Sequence, residues 1–176
     1  MNLKEQNYLT KLLEKYSKKS SSKKMRYALS PNSFSNKDII EGIKVLLSKR
    51  ITMGKITKRF EKEFAKFIGS KYALMVNSGS SANLLATFAM VNPMKKNRLK
   101  SGDECLIPSL CWSTSLWPII QAGLKPKFVD VDPETLNISL KDLEKKINKK
   151  TKAIVLVHVL GNSVNMKKLK RIINKY

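Results

Sequence analysis

The stretch from Asn77 to Asn83, "NSGSSAN", sets three serines around a glycine between an apolar run, "YALMV", and the small and apolar run "SSANLLATFAMV". The first N–H groups of a helix have no internal partner and the helix dipole is positive there, so small polar residues at such a junction suit an anion. Gly79 lets the backbone come close to a ligand, and the hydroxyls of Ser78, Ser80 and Ser81 can bond phosphate oxygens. The same residues also suit plain N-capping by Ser78 or Ser80. The stretch is not a Walker loop, which ends in Gly-Lys-Ser/Thr, and not a GxGxxG dinucleotide turn.

A second candidate is "PSLCWST", where Trp112 stands beside Ser113, Thr114 and Ser115 just after an apolar run. Its flat ring fits stacking on a planar cofactor, and equally fits a place in the core. A third is "HVLGNS", with the chain's one histidine, His158, which reads either as a site residue or as a structural hydrogen-bonder. Asp130 and Asp132 in "FVDVDPETLNI" read as turn formers rather than acids, because Pro133 follows and Asp-Pro favours a turn. Cys105 and Cys111 have neither CxxC nor histidine spacing and read as reduced, mostly buried thiols.

The elements that must position these residues alternate. Strands are predicted at "YALMV", "GDECLIP", "KPKFVDV" and "KAIVLVHV". Helices are predicted at "SSANLLATFAMV", through "TSLWPIIQAG", at "SLKDLEKKI" with Ser139 as cap, and at "NMKKLKRIINKY". Strands joined by helices imply an α/β fold with a mainly parallel sheet flanked by helices. In such sheets ligands bind beyond the carboxyl ends of the strands, where all three candidates lie.

Upstream, Leu9, Leu12, Leu13 and Tyr16 at helical spacing predict an amphipathic helix over 3–16, and "SKKSSSKK" reads as a linker. A second helix starts near Ser35 as N-cap with Asp38 in its first turn, burying Ile39, Ile40, Ile43, Leu46 and Leu47. A loop at Thr52 to Gly54 leads to a helix with Phe60, Phe64 and Phe67 on one side, ended by Gly69. The expected organisation is a helix and linker at 1–24, a helical segment at 25–70, and a partial cofactor-binding α/β domain at 71–176.

The chain has 176 residues and a formal net charge of +22, with 30 lysines and only five arginines. The lysines are scattered over polar helix faces, without the arginine, glycine and aromatic clustering that nucleic-acid surfaces use, so a nucleic-acid role is disfavoured. The field would also attract an anionic substrate such as a nucleotide sugar. No run approaches the roughly 18–20 apolar residues of a membrane span, and the N-terminus lacks a signal-peptide pattern, so a cytoplasmic location is expected.

Four stretches in order, "TMGKITKRFEKEFAKFIGSKYALMVNSGSSANLLA", "RLKSGDECLIPSLCWSTS", "KPKFVDVDPETLNIS" and "TKAIVLVHVLGNS", resemble the N-terminal half of the DegT-type sugar aminotransferases. These are fold-type I pyridoxal-phosphate enzymes. Within the family the wording is most similar to the 3-dehydratases of nucleotide-linked 4-keto-6-deoxyhexoses, from about Tyr27 onward. The resemblance implies the N-terminal part of that family's large domain, incomplete, with pyridoxal or pyridoxamine 5′-phosphate as cofactor.

The resemblance also implies residue roles. Gly79, Ser80 and Ser81 would hold the cofactor phosphate, and Trp112 would stack on the pyridine ring. Thr52, Met53 and Gly54 would lie near the substrate and a dimer partner. The family's pyridine-nitrogen aspartate, and its reactive-carbon lysine (aminotransferases) or histidine (dehydratases), would fall beyond Tyr176. The expectation is therefore an N-terminal portion that catalyses nothing alone, with an open sheet edge prone to aggregation. A noncatalytic partner subunit or relic, and a basic nucleic-acid binder, remain the other readings.

Overall fold

Capping signals spaced three residues apart in the sequence become helix boundaries in the structure. A computed structural model describes residues 1–16 and 34–176, so the expected linker at 17–24 lies outside the described residues. The chain divides into two units, Met1–Met75 and Val76–Tyr176.

The first unit holds three helices, α1 (Leu3–Tyr16), α2 (Asn36–Leu47) and α3 (Lys55–Ile68). Leu9, Leu12 and Leu13 of α1 are half-buried, whereas Tyr16 is exposed. Helix α2 begins as its sequence predicts. The Asp38 carboxylate accepts the Ser35 N–H at 2.6 Å and the Ser35 hydroxyl at 2.8 Å, and these bonds hold its pKa below the ordinary aspartate value. Ile40 is buried and Ile39 and Ile43 are half-buried, but Leu46 and Leu47 are exposed, contrary to the expectation. They lie in the last turn, where the chain leaves through Lys49 at φ 57° rather than packing onward. On α3 the rings of Phe60 and Phe64 stack with centroids 5.6 Å apart, and Phe67 is exposed. Gly69 closes α3 at φ 71° while the Ser70 N–H reaches back to the Ala65 carbonyl at 2.9 Å, a left-handed cap that only glycine adopts without strain.

The second unit runs α4 (Gly79–Val91), β1 (Glu104–Pro108), α5 (Ser113–Gln121), β2 (Lys125–Val129), α6 (Leu140–Lys146), β3 (Thr151–Ile154) and α7 (Met166–Ile173). The three strands form a parallel sheet in the order β2-β1-β3. Central β1 is covered on both faces, and alternation along it sorts the side chains. Leu106 packs with Val129, Ile138, Leu143, Leu169 and Ile172 on the side of α6 and α7. Cys105 and Ile107 pack with Ile119 and Leu124, with Val91 and Leu99 against them, on the side of α4 and α5.

One predicted strand is absent. Residues 72–76, "YALMV", form no ladder with any described segment, and Tyr72, Leu74 and Met75 are exposed. A strand exists only through its neighbour's hydrogen bonds, and no described segment supplies a ladder to these residues. The strand predicted at "KAIVLVHV" is also shorter than expected. It ends at Ile154, with one further bond from the Val155 N–H to the Leu106 carbonyl at 2.8 Å.

Candidate functional site

The turn before α4 takes its shape from Ser78. Its extended backbone (φ −161°, ψ 162°) places its hydroxyl to accept the Ser81 N–H at 3.2 Å, and Ser78 Oγ also lies 3.2 Å from Ser81 Oγ. The N–H groups of Gly79 and Ser80 donate to no protein atom among the described residues. Capping and anion binding are therefore compatible here: one serine caps, and two N–H groups stay open at the positive end of a 13-residue helix. A Cβ built on Gly79 would meet nothing within 4 Å, so the space over this first turn is open.

Ser80 and Ser81 line a groove of about 180 Å³ with Leu84 of α4 and with Thr114, Trp117, Pro118 and Gln121 of α5. The structure thus brings the "NSGSSAN" turn together with the start of the helix that follows "PSLCW". Two serine hydroxyls, a threonine hydroxyl and free backbone N–H groups form an uncharged donor set that fits a phosphate.

Trp112 occupies the N-cap position of α5 with its side chain 76% exposed, and it does not line this groove. Trp117, one helical turn into α5, lines it instead; the 3.6-residue period turns positions 114, 117, 118 and 121 to one side. Thr52, Met53 and Gly54 belong to the first unit. There Gly54 is the N-cap of α3, and Met53 is exposed with φ 42°. Gly54 lines a pocket of about 540 Å³ with Lys44, Ser48, Arg50 and Lys55, which Thr52 and Met53 do not line.

Four residues beyond β3, His158 Nδ1 accepts the Val164 N–H at 3.1 Å, so one of its ring nitrogens is used as a structural hydrogen-bonder. Asp132 Oδ1 accepts the Glu134 and Thr135 N–H groups at 3.0 and 3.1 Å, and Asp130 Oδ1 accepts the Val131 N–H at 2.8 Å, which makes both turn formers. Asp142 takes the Asp130 N–H at 2.8 Å and pairs with Lys146 at 2.8 Å, fastening the end of β2 to α6. Burial pushes the Cys105 thiol up to about 11 and raises Cys111 as well, so both are protonated thiols at neutral pH.

Sequence reasoning missed Asn137, which is 5% exposed. Its Oδ1 accepts the Val159 N–H at 3.1 Å and its Nδ2 donates to the Asn162 carbonyl at 3.0 Å. The available signal was only a polar residue between two apolar ones, Leu136 and Ile138. Among the described residues there is no metal-type cluster of histidine, cysteine and carboxylates, and no helix long and apolar enough to cross a membrane.

Residues 33–176 match the family model described as the DegT/DnrJ/EryC1/StrS aminotransferase family. The chain belongs to this family. As a DegT/DnrJ/EryC1/StrS chain, it is similar to a GDP-4-keto-6-deoxy-D-mannose 3-dehydratase of Escherichia coli O55:H7, 50% identical over 129 residues, 73% of this chain and 33% of that protein. It is also 43% identical over 127 residues to the lipopolysaccharide biosynthesis protein RfbH of Salmonella typhimurium, covering 71% of this chain and 29% of that protein. The structure of the E. coli GDP-4-keto-6-deoxy-D-mannose-3-dehydratase with bound hydrated PLP superposes with a TM-score of 0.79 at 44% identity, over 84% of this chain and 38% of that one. The DegT/DnrJ/EryC1/StrS chain thus has the fold of the N-terminal part of a pyridoxal-phosphate enzyme, a small parallel sheet flanked by helices. It spans about a third of the length of the curated relatives it matches.

Proposed function

We propose that this chain is the part of a nucleotide-sugar enzyme that holds the phosphate of pyridoxal or pyridoxamine 5′-phosphate. The whole enzyme would act on a nucleotide-linked 4-keto-6-deoxy sugar, by 3-dehydration or transamination, in cell-surface polysaccharide synthesis. The observation that carries this reading is the start of α4. Two N–H groups stay open in its first turn, at Gly79 and Ser80, and Ser80 and Ser81 line a groove shared with Thr114, in a chain 50% identical over 129 residues to a GDP-sugar 3-dehydratase.

In this reading Gly79 keeps the first turn open, Ser80 and Ser81 hold phosphate oxygens, and Ser78 keeps the turn rigid. The exposed ring of Trp112 is free to stack on the pyridine. Thr52, Met53 and Gly54 are proposed to approach the substrate and a second subunit of a cytoplasmic homodimer. When bound, the cofactor supplies an electron sink and an amino group to the sugar carbons. The residues named here bind and orient, and none of them moves a proton at a reacting atom. A polypeptide of these 176 residues alone is accordingly expected to bind the cofactor weakly and to turn over no substrate.

The test is a titration of the purified protein with pyridoxamine 5′-phosphate, followed by cofactor fluorescence, with inorganic phosphate as competitor. The expected result is weak binding that phosphate displaces and that the double variant Ser80→Ala/Ser81→Ala loses. Binding indifferent to both phosphate and the double variant would overturn the assignment, as would complete absence of binding. Turnover of a GDP-linked 4-keto-6-deoxy sugar by this polypeptide would overturn the claim of inactivity.

A further inference from the structure

The loop that follows β3 is held from a distance. Between His158 and Asn162 the chain makes a short 3-10 turn in which Leu160 has φ 51° and is almost fully exposed. A left-handed leucine is strained and persists only where its surroundings over-determine it. Here the turn's own backbone bonds, from the Gly161 N–H to the His158 carbonyl at 3.2 Å and from the Asn162 N–H to the Val159 carbonyl at 2.8 Å, are joined by a single side chain from outside it. The buried Asn137 amide bonds the turn on both sides of the strained residue, at the Val159 N–H and at the Asn162 carbonyl. Asn137 is itself fixed, because its carbonyl accepts the Asp132 N–H at 2.8 Å and the next residue, Ile138, bridges Val131.

The consequence falls on His158. A backbone N–H can only donate, so the 3.1 Å contact with Val164 requires a bare Nδ1 and places the ring proton of the neutral imidazole on Nε2. Nε2–H donates to no protein atom among the described residues, and the residue is exposed. Residues 158 and 164 bracket the tethered turn, so their distance apart depends on the path of the chain between them.

The geometry points to Asn137 as a positioning residue: by clamping the 159–162 turn it locks His158 as an Nε2–H donor at the carboxyl end of the sheet. Open α/β sheets bind ligands at that end, and the role rests on the function proposed above. A neutral donor held in one tautomer suits an oxygen acceptor on a bound ligand without adding charge.

His158 is the only histidine in the chain, so ring ¹⁵N spectra report it without ambiguity. In alkaline buffer the wild-type protein is expected to show a pyridine-type Nδ1 and a protonated Nε2. Asn137→Ala is expected to give a tautomer mixture, with amide exchange at Val159, whose N–H loses its acceptor, faster by about tenfold or more, and with the Asn162 N–H, bonded to the Val159 carbonyl in the same turn, faster as well. Asn137→Asp keeps the acceptor for the Val159 N–H and loses the donor to the Asn162 carbonyl, so Val159 should stay protected while the Asn162 N–H, which bonds the Val159 carbonyl at 2.8 Å and depends on that end of the turn staying in place, exchanges faster. That isosteric variant carries the test if the alanine variant does not fold. A protonated Nδ1 in the wild type, an unchanged tautomer in Asn137→Ala, or uniform acceleration across the second unit in Asn137→Asp would overturn the proposal. No cofactor enters this experiment, so its failure is separable from failure of phosphate binding.

Discussion

The Ser78 hydroxyl accepts the Ser81 N–H at 3.2 Å, and this single bond divides the first turn of α4 into one capped donor and two open ones. The division separates stability from ligand binding within three adjacent serines. Ser78→Ala should lower the unfolding free energy by about 1 kcal/mol, the usual cost of a lost N-cap, and Ser80→Ala should change it by less than about 0.5 kcal/mol. Urea denaturation of both variants checks the pair. Equal losses would mean that Ser80 also caps.

Glycine substitutions should split in the same way. Gly123 has φ 75° and an added Cβ would sit 3.2 Å from Ser101 Oγ, so Gly123→Ala should cost roughly 1–2 kcal/mol. Gly79 has open space around it and lies in the first turn of a helix, so Gly79→Ala should be nearly neutral, within about 0.5 kcal/mol. Thermal unfolding distinguishes the two. If Gly79→Ala nonetheless weakens pyridoxamine phosphate binding, the close backbone approach there serves the ligand rather than the fold.

Acid stability should depend on Asp142. The Lys146 ammonium, and then the Asp130 N–H, hold its carboxyl below the ordinary value of 3.8. A depressed folded pKa means that the unfolded chain takes up the proton first. The stabilisation is therefore full above the unfolded value and fades as pH falls from about 4 through the folded one. Asp142→Asn should be less stable than wild type at neutral pH, with the gap closing below pH of about 4. A gap independent of pH in denaturation curves would show that packing, not charge, sets the effect.

The thiols should differ in rate. Burial pushes Cys105 up to about 11 and leaves it 1% exposed, whereas Cys111 is half-buried with a smaller share of the same cause. Iodoacetamide at a pH of about 8 should label Cys111 first and reach Cys105 only when the sheet opens. Mass spectrometry after partial labelling reads the order, and equal labelling would place the core around β1 in exchange with solvent.

Leu143 is fully buried in the cluster beneath β1 and β2, so Leu143→Ala should cost about 2–5 kcal/mol. Loss of the folded circular-dichroism signal at room temperature agrees with this, since a domain's whole stability is about 5–15 kcal/mol. A cost under about 1 kcal/mol would mean that α6 closes over the cavity.

What could be read from the chain alone was local or periodic. Ser35 with Asp38, Gly69 after α3 and Ser139 before α6 act on partners within a few residues, so their chemistry is written in adjacent letters. The alternation of strands and helices, and the small-residue turn at Ser78 to Ser81, were legible for the same reason. Tertiary structure decided the rest because it depends on partners far along the chain. It left "YALMV" without a ladder, turned Trp117 rather than Trp112 into the groove with Ser80, and exposed Leu46 and Leu47. It also joined Asn137 to residues 22 and 25 positions away, a pairing that no local pattern encodes because only the packed sheet brings those backbones within hydrogen-bond reach.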